Sequence, residues 1–238
     1  MTDPTLLSLQ QVHAYYGKSH ILRGIDLAIR QGEVVSLLGR NGAGRSTTMK
    51  TIMGLVPAAR GRIAIEGRDI TNLRAFQIAR AGVGYVPEER EVFANLTVDE
   101  NLRMGEQPAR PGAAAWDAEQ MFTYFPRLKE RRNTRAGNLS GGEQQMLTMC
   151  RTLLGNPKVM LIDEPTEGLA PKIVEVIAEV IRDIHRRGVS VLLVEQKLAI
   201  ALKVSSRVHV MGHGRVVFEG PPAALHERPD VVQEWLAV

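Results

Sequence analysis

Two short segments of the chain carry residue types suited to nucleotide chemistry. The first, residues 39–47, is rich in glycine and follows an apolar run over residues 33–38 that predicts a buried strand. Glycines let backbone N–H groups turn inward around phosphate oxygens, and a helix predicted over residues 46–53 adds the positive end of its dipole. The segment predicts a phosphate-binding loop, which we favour over a glycine-rich turn without a ligand. Its predicted nucleotide contacts are Gly39, Asn41, Gly42, Ala43, Gly44, Arg45, Ser46 and Thr47.

The second segment places two adjacent carboxylates, Asp163 and Glu164, after an apolar run over residues 159–162. That run predicts another buried strand, and ligands of parallel sheets bind in the crevice at the strand ends. Asp163 and the hydroxyl of Ser46 are predicted to hold Mg²⁺, which keeps much of its hydration shell. Glu164 is predicted to act as the general base that polarises the attacking water. The alternative, an exposed pair of acids at a strand end, is less favoured because of the preceding apolar run.

Arg45 departs from the phosphate-loop pattern, which has lysine at this position. Arginine keeps the positive charge but is longer, planar and forked. Two interpretations stay open. Either arginine holds the transferring phosphoryl group less well, so that lysine would raise hydrolysis, or the site has adapted to the guanidinium. We favour the first, because the flanking residues show no compensating change.

A third segment identifies a family. Residues 139–145 (Leu-Ser-Gly-Gly-Glu-Gln-Gln) precede the strand that ends in Asp163 and Glu164, and this order resembles the signature of ATP-binding cassette (ABC) ATPases. The resemblance implies an α/β fold: a P-loop NTPase cassette with a RecA-like core, an N-terminal antiparallel β subdomain and a helical insert. It further implies a single ATPase domain over residues 1–238, with the insert at about residues 89–155, and ATP and Mg²⁺ as cofactors.

The resemblance also assigns residues outside the two opening segments. Tyr16 lies where the family stacks an aromatic ring on adenine. Glu88 takes the place of the usual Q-loop glutamine and would ligate Mg²⁺ or its water. Gln196 replaces the usual switch histidine and would act with Glu164 in catalysis, although glutamine does not titrate near neutral pH. Ala170 stands in the D-loop, residues 167–170, where aspartate is common.

Partners follow from the same resemblance. Ser140, Gly141 and Gly142 would contact the γ-phosphate bound by another subunit, which requires a head-to-tail dimer, either homodimeric or heterodimeric. Four further segments resemble the ATP-binding subunits of branched-chain amino acid importers, of which urea and short-chain amide importers are close relatives. These segments are residues 87–88, 143–146, 167–171 and 194–196. Such subunits work with transmembrane permease subunits and, indirectly, with a periplasmic substrate-binding protein.

Composition agrees with this interpretation. The 238 residues carry a net charge of +4 and one cysteine, Cys150, so no internal disulfide forms. No apolar run approaches the roughly 18 residues that a membrane span needs, and we expect a peripheral protein at the cytoplasmic face of the inner (plasma) membrane. The basic residues between positions 127 and 135 are interpreted as a solvated face, and no nucleic-acid partner is expected.

Three alternatives remain. Because of Arg45, Glu88 and Gln196, the chain could bind ATP and dimerise but hydrolyse poorly, as a nucleotide-gated clamp beside a partner ATPase subunit. A cassette acting on nucleic acid is disfavoured, since the long coiled-coil insertion of repair cassettes is missing. A transport motor for a different substrate stays open.

Sequence periodicity predicts the remaining elements. Helices are expected over residues 71–80, over 99–135 with a break at 108–112, and over 172–187 with one apolar stripe. A strand is expected over 189–194, and a hairpin over 207–211 and 215–218.

Overall fold

The computed structural model describes residues 5–109 and 115–236. The strands are β1 Thr5–Tyr16, β2 Ser19–Arg30, β3 Val34–Gly39, β4 Ala58–Ile65, β5 Arg68–Asp69, β6 Val83–Val86, β7 Val159–Asp163, β8 Ser190–Val194, β9 Arg207–Gly212 and β10 Arg215–Gly220. The helices are α1 Arg45–Ile52, α2 Ala75–Ala81, α3 Val98–Gly105, α4 Ala118–Tyr124, α5 Pro126–Glu130, α6 Gly141–Leu153, α7 Pro171–Arg186, α8 Leu198–Val204, α9 Pro222–His226 and α10 Pro229–Trp235.

A six-stranded sheet in the order β10-β9-β3-β8-β7-β6 forms the centre of the molecule. Its strands run parallel except for β10, which pairs antiparallel to β9 at one edge. Every residue of β7 and β8 is buried, as expected for parallel strands covered on both faces. Val194 pairs with both Leu37 of β3 and Asp163 of β7, so the carboxyl ends of these three strands meet at one edge.

A second sheet, in the order β2-β1-β4-β5, is antiparallel throughout. Its apolar face joins one hydrophobic cluster with β3, β7 and α1, to which Leu9, Ile25, Ile63, Met49 and Leu161 belong. This sheet is the predicted N-terminal antiparallel subdomain, and together with the parallel core it confirms the predicted α/β cassette fold.

The helices between β6 and β7 build a separate cluster on the other face of the parallel sheet. Phe122, Phe125, Leu128 and Leu147 are buried there against Ile162 of β7. A capping box starts α6: the Ser140 hydroxyl accepts from the Glu143 backbone N–H, while the Glu143 carboxylate accepts from Ser140. These helices lie in the segment predicted as an insert, whose bounds at about residues 89–155 stay a prediction, as does the single-domain division.

Three predicted helical regions can be compared with the observed helices. α7 matches, and Ile177, Val180, Ile181 and Ile184 are its buried stripe. α2 begins four residues later than predicted, because the Asn72 amide bonds both backbone groups of Ala58 and holds a turn. In the region 99–135 the described residues form α3 before the predicted break and two short helices, α4 and α5, after it. Of its predicted break, residues 108 and 109 are described, while 110–112 lie outside the described residues.

The predicted hairpin is β9 and β10, and the strand predicted over 189–194 is β8. Within residues 5–109 and 115–236, no helix combines the length and apolar character needed to cross a bilayer.

Candidate nucleotide-binding site

The phosphate loop joins β3 to α1 at the edge where the parallel strands end. Gly39, Gly42 and Gly44 have positive φ angles of 149°, 82° and 106°, which residues with side chains rarely adopt. Space is also tight at Gly39, since a Cβ there would lie 2.6 Å from the carbonyl oxygen of Met211. The turn directs the amino end of α1, with its unsatisfied N–H groups, to the adjacent cavity.

This cavity has a volume of about 380 Å³. It brings the phosphate loop together with side chains that are distant in sequence. The lining residues are Ile21, Asn41, Gly42, Gly44, Arg45, Ser46, Thr47, Glu88, Glu164, Glu167 and Gln196. Most of the predicted loop contacts, the predicted base and both family-derived substitutions, Glu88 and Gln196, thus share one cavity.

Asp163 lies at the end of β7 and is almost fully buried, with 1% of its surface exposed. Its Oδ1 accepts a hydrogen bond from the Ser46 hydroxyl at 3.2 Å. Its Oδ2 is also buried and has no partner within hydrogen-bond geometry among the described residues, although the buried Tyr85 hydroxyl interacts with this carboxylate. Burial raises the pKa of Asp163 to about 6, and the Ser46 hydrogen bond offsets part of that effect. A buried carboxylate oxygen without a donor, next to a serine hydroxyl, fits a hydrated divalent cation.

Arg45 and Glu164 form a buried ion pair beside this carboxylate. Nη2 of Arg45 lies 2.8 Å from Oε1 of Glu164, and each side chain is 5% exposed. The same Nη2 donates to Oδ1 of Asn41 at 3.0 Å. Nη1 of Arg45 is buried and has no partner within the described part of the chain. The guanidinium therefore has one occupied nitrogen and one that is available to an anion in the cavity.

Gln196 engages the other oxygen of Glu164. Its Nε2 donates to Oε2 at 2.5 Å, so both oxygens of the predicted base already accept hydrogen bonds. The Glu164 backbone is in the left-handed region at φ 46°, a conformation uncommon for non-glycine residues and often found at functional sites. Burial raises the pKa of Glu164, and the charge of Arg45 offsets part of this. These contacts hold the carboxylate in place. They also occupy both of its oxygens, so that neither is free to accept a proton from water.

A cluster of three glutamates also lines the cavity. Carboxylate oxygens of Glu88, Glu164 and Glu167 all lie within 4.8 Å of one another. Burial and the neighbouring Glu167 raise the pKa of Glu88. Mutual repulsion of this kind is relieved by a cation. The predicted ligands Glu88, Ser46 and Asp163 offer oxygens of the hard type that Mg²⁺ prefers.

The other predicted nucleotide contacts do not line this cavity. Tyr16 ends β1 and is 49% exposed. Ser140, Gly141 and Gly142 stand at the amino end of α6, and Ser140 is exposed there. Ala43 and Gly39 belong to the phosphate loop but are not among the residues that line the cavity. An arrangement in which the 140–142 segment serves another subunit's nucleotide stays a prediction.

Several residues at the site went unassigned from sequence. Glu195 is buried and accepts from the Thr166 hydroxyl at 2.7 Å and from the backbone N–H groups of Gln196 and Lys197, so it fixes the loop that carries Gln196. Arg90 reaches the D-loop by donating to the Glu167 carbonyl at 3.0 Å. An acid after a buried strand could have drawn attention to Glu195, whereas nothing in the sequence indicates Arg90's contact.

We expect Asp163→Asn to stabilise the nucleotide-free protein more at pH 8 than at pH 5. The folded-state pKa of about 6 exceeds the ordinary value of 3.8, so ionisation of Asp163 costs stability. This cost is absent well below pH 3.8, grows with rising pH and is complete above pH 6. Two pKa units correspond to at most about 3 kcal/mol. Thermal unfolding without nucleotide or Mg²⁺ measures it, and an equal gain at both pH values would contradict the burial argument.

Comparison with known proteins identifies the family. The ABC transporter family model matches residues 22–167, more than half of the chain. The high-affinity branched-chain amino acid transport ATP-binding protein BraG of Pseudomonas aeruginosa is 43% identical, covering 97% of this chain and 99% of BraG. The probable branched-chain amino acid transport ATP-binding protein LivF of Archaeoglobus fulgidus is 34% identical, with 93% and 94% covered.

Two further similarities bear on function and fold. The lipopolysaccharide export system ATP-binding protein LptB of Acidithiobacillus ferridurans is 34% identical, covering 97% of this chain and 96% of LptB. The crystal structure of a nucleotide-free ATP-binding cassette from an ABC transporter superposes with a TM-score of 0.82 at 27% identity, covering 96% of this chain and 98% of that one. The matched family, the cassette fold and the convergence of phosphate loop and strand-end carboxylates lead to one conclusion: this chain belongs to the ABC transporter family, as an ATP-binding ATPase subunit.

Proposed function

We propose that this subunit powers an importer of branched-chain or other hydrophobic amino acids. One structural observation supports its role as the hydrolysing subunit: the buried pair of Arg45 and Glu164 is continued by a hydrogen bond from the more exposed Gln196 at the phosphate loop. The substrate class is supported by the 43% identity with BraG over nearly the full length of both chains. LptB shows that an export system uses a similar subunit, so the direction of transport rests on the higher identity.

ATP binding would be the task of the phosphate loop and α1. The loop N–H groups and the amino end of α1 would hold the phosphates, and the buried Nη1 of Arg45 would find its missing acceptor there. Tyr16 would stack on adenine. Since Nη2 of Arg45 bonds Glu164 at 2.8 Å without nucleotide, the phosphates compete with Glu164 for the same guanidinium.

Hydrolysis would depend on freeing Glu164. Once Arg45 turns to the phosphates and Gln196 releases Oε2, the carboxylate can accept the proton of the attacking water. Its raised pKa brings its basicity closer to that required near neutral pH. Ser46, Asp163 and Glu88 would hold Mg²⁺, which supplies charge neutralisation on the β- and γ-phosphate oxygens when bound.

A second copy, or a related subunit, would complete the site. ATPase cassettes of this family dimerise and work with transmembrane permease subunits. In the proposed head-to-tail arrangement, Ser140, Gly141 and Gly142 at the amino end of α6 meet the γ-phosphate held by the partner.

An apolar groove offers a surface for the permease. Its cavity of about 780 Å³ lies between α2 and α3 and is lined in part by Leu55, Phe76, Phe93 and Met104, each about half exposed or more. Exposed apolar patches of this kind mark protein-protein contacts. We propose that a permease segment docks here and holds the subunit at the cytoplasmic face of the inner membrane, with a periplasmic substrate-binding protein acting on the far side.

We expect Tyr16→Ala to lower ATP affinity about tenfold, since stacking of a base on an aromatic ring contributes about 1–3 kcal/mol. Tyr16→Phe keeps the ring and should keep the affinity. Tripolyphosphate, which has no base, should bind both variants and the native chain equally, as measured by calorimetric titration. Equal loss of ATP and tripolyphosphate binding in Tyr16→Ala would show that the effect is not on adenine.

Transport is tested with the complete transporter, which is purified by means of an affinity tag on this subunit. The transporter is then reconstituted in proteoliposomes together with its binding protein. We expect ATP-dependent uptake of labelled leucine. Uptake of urea or acetamide instead would favour the alternative importer class. Uptake that survives loss of this subunit's hydrolysis but requires its ATP binding would favour the alternative of a nucleotide-gated clamp beside a partner ATPase.

A further inference from the structure

Arg90 lies where three loops of the candidate dimer face meet. It follows Glu88 and Glu89 after β6, and its backbone is in the left-handed region at φ 52°. Nη2 donates to the carbonyl oxygen of Glu167 in the D-loop at 3.0 Å. Nη1 lies against Gly141 at the start of α6, where a Cβ would be only 2.2 Å away. One side chain therefore touches both the D-loop and the signature segment, residues 139–145.

The absence of a side chain at position 141 leaves room for this contact. Gly141 is not among the residues with positive φ, so its backbone does not require glycine. The space that a side chain would need is taken by the Arg90 guanidinium instead. The neighbouring Gly142 is in ordinary van der Waals range of Leu169, with 3.5 Å from a Cβ position to Cδ2. Arg90 and Leu169 thus form two adjacent links between the same pair of loops.

The charge of Arg90 also suits this place. Glu88 precedes it by two residues, Glu167 supplies the carbonyl that it bonds, and the carboxylates of Glu88 and Glu167 lie within 4.8 Å of each other. A guanidinium donates in several directions at fixed angles, so it can bond the D-loop carbonyl while its other nitrogen stays over Gly141. A lysine could make the first contact but not both at once.

We propose that Arg90 is a positioning residue that holds the D-loop and the signature segment in a fixed mutual arrangement, so that both meet the partner subunit's nucleotide together. This rests on the proposed head-to-tail dimer. Arg90 does not line the phosphate cavity, so its loss should leave ATP binding by a single subunit unchanged. What it should change is the ATP concentration at which two subunits associate.

The test uses the Glu164→Gln background, which is expected to retain ATP, and follows dimer formation by analytical ultracentrifugation over a range of Mg-ATP concentrations. We expect Arg90→Ala to raise the ATP concentration for half-maximal dimerisation about tenfold or more, as loss of a charged hydrogen bond implies. Arg90→Lys should fall between the two. Arg60→Ala, which removes an exposed arginine from β4, should match the parent.

Two further readouts separate positioning from a general structural role. ATP affinity of the monomer and the thermal midpoint should be the same in Arg90→Ala and its parent. Dimerisation at the parent's ATP concentration would overturn the inference, as would a parallel loss of monomer affinity or stability. If the Glu164→Gln parent stays monomeric at saturating Mg-ATP, the proposed dimer falls and the inference with it. If the parent dimerises and Arg90→Ala does too, the inference alone fails.

Discussion

Glu164→Gln should retain ATP binding and lose hydrolysis by about 10²–10⁴-fold, the range for removal of a general base. Glutamine is close to glutamate in shape, so its oxygen can still accept from Arg45, but it cannot take a proton from water near neutral pH. The structure adds a second effect. Removing the negative charge that holds Arg45 at 2.8 Å leaves the guanidinium freer for the phosphates, so ATP affinity should be equal to or higher than that of the native subunit.

Steady-state phosphate release by the assembled transporter measures the loss, and nucleotide titration measures affinity. Glu179→Gln, which neutralises an exposed acid on α7, is the control for charge removal elsewhere. Hydrolysis at the native rate in Glu164→Gln would exclude the base role. A native subunit that turns over no ATP in the complex would instead support the clamp hypothesis.

Arg45→Lys should raise hydrolysis, by about tenfold. Arg45 is held between Asn41 and Glu164 while its Nη1 is buried without a partner among the described residues. In the proposed mechanism the Arg45–Glu164 ion pair opens before Glu164 acts, and about 1.4 kcal/mol removed from that barrier corresponds to a tenfold rate. The compact ammonium of lysine has no second nitrogen to satisfy and approaches the β- and γ-phosphates as a point charge. It should also release Glu164 more readily.

Phosphate release at saturating Mg-ATP compares the two forms. Arg40→Lys, a matched change at an exposed arginine of the same loop, should leave the rate unchanged. A lower rate in Arg45→Lys would contradict the expectation. It would show that the pairing of the guanidinium with Asn41 and Glu164 is an adaptation and that Arg45 is a working replacement for lysine.

The strands that carry the site were predictable because local pattern determines them. Apolar runs that end in Gly39 and Asp163 are buried strands, and parallel pairing then brings their ends together. The start of α2 was not predictable, because it depends on Asn72 bonding Ala58, fourteen residues away. Short-range pattern carries no information on such a contact.

Within the site, too, the residue types were predictable from the sequence, whereas the contacts between them were not. Residue types and the family resemblance were enough to nominate Arg45, Glu164 and Gln196. That the three are bonded to one another was not predictable, since the partners are 119 and 32 residues apart. The same holds for Arg90 against Gly141 and for the orphaned oxygen of Asp163, which exist only through tertiary packing. Their roles in catalysis stay predictions.

These features link the nucleotide-free arrangement to function. The predicted base is paired with the same cation that is predicted to bind phosphate. In the proposed mechanism the phosphates and Glu164 compete for the Arg45 guanidinium, and the carboxylate acts once it is released. Such competition keeps the base engaged when no nucleotide is present. Arginine in place of lysine at position 45 would then have two effects. It would change how strongly Glu164 is held, and it would change how well the phosphates are bound.

The crystal structure of Glu164→Gln with Mg-ATP tests this account most directly. It predicts two subunits head to tail with two nucleotides between them. In each site the adenine should lie on Tyr16, the Arg45 guanidinium should bond the β- or γ-phosphate oxygens, and Ser140 to Gly142 of the other subunit should contact the γ-phosphate. A nucleotide bound to a single subunit, with Arg45 still bonded to residue 164 and no contact with the phosphates, would contradict it.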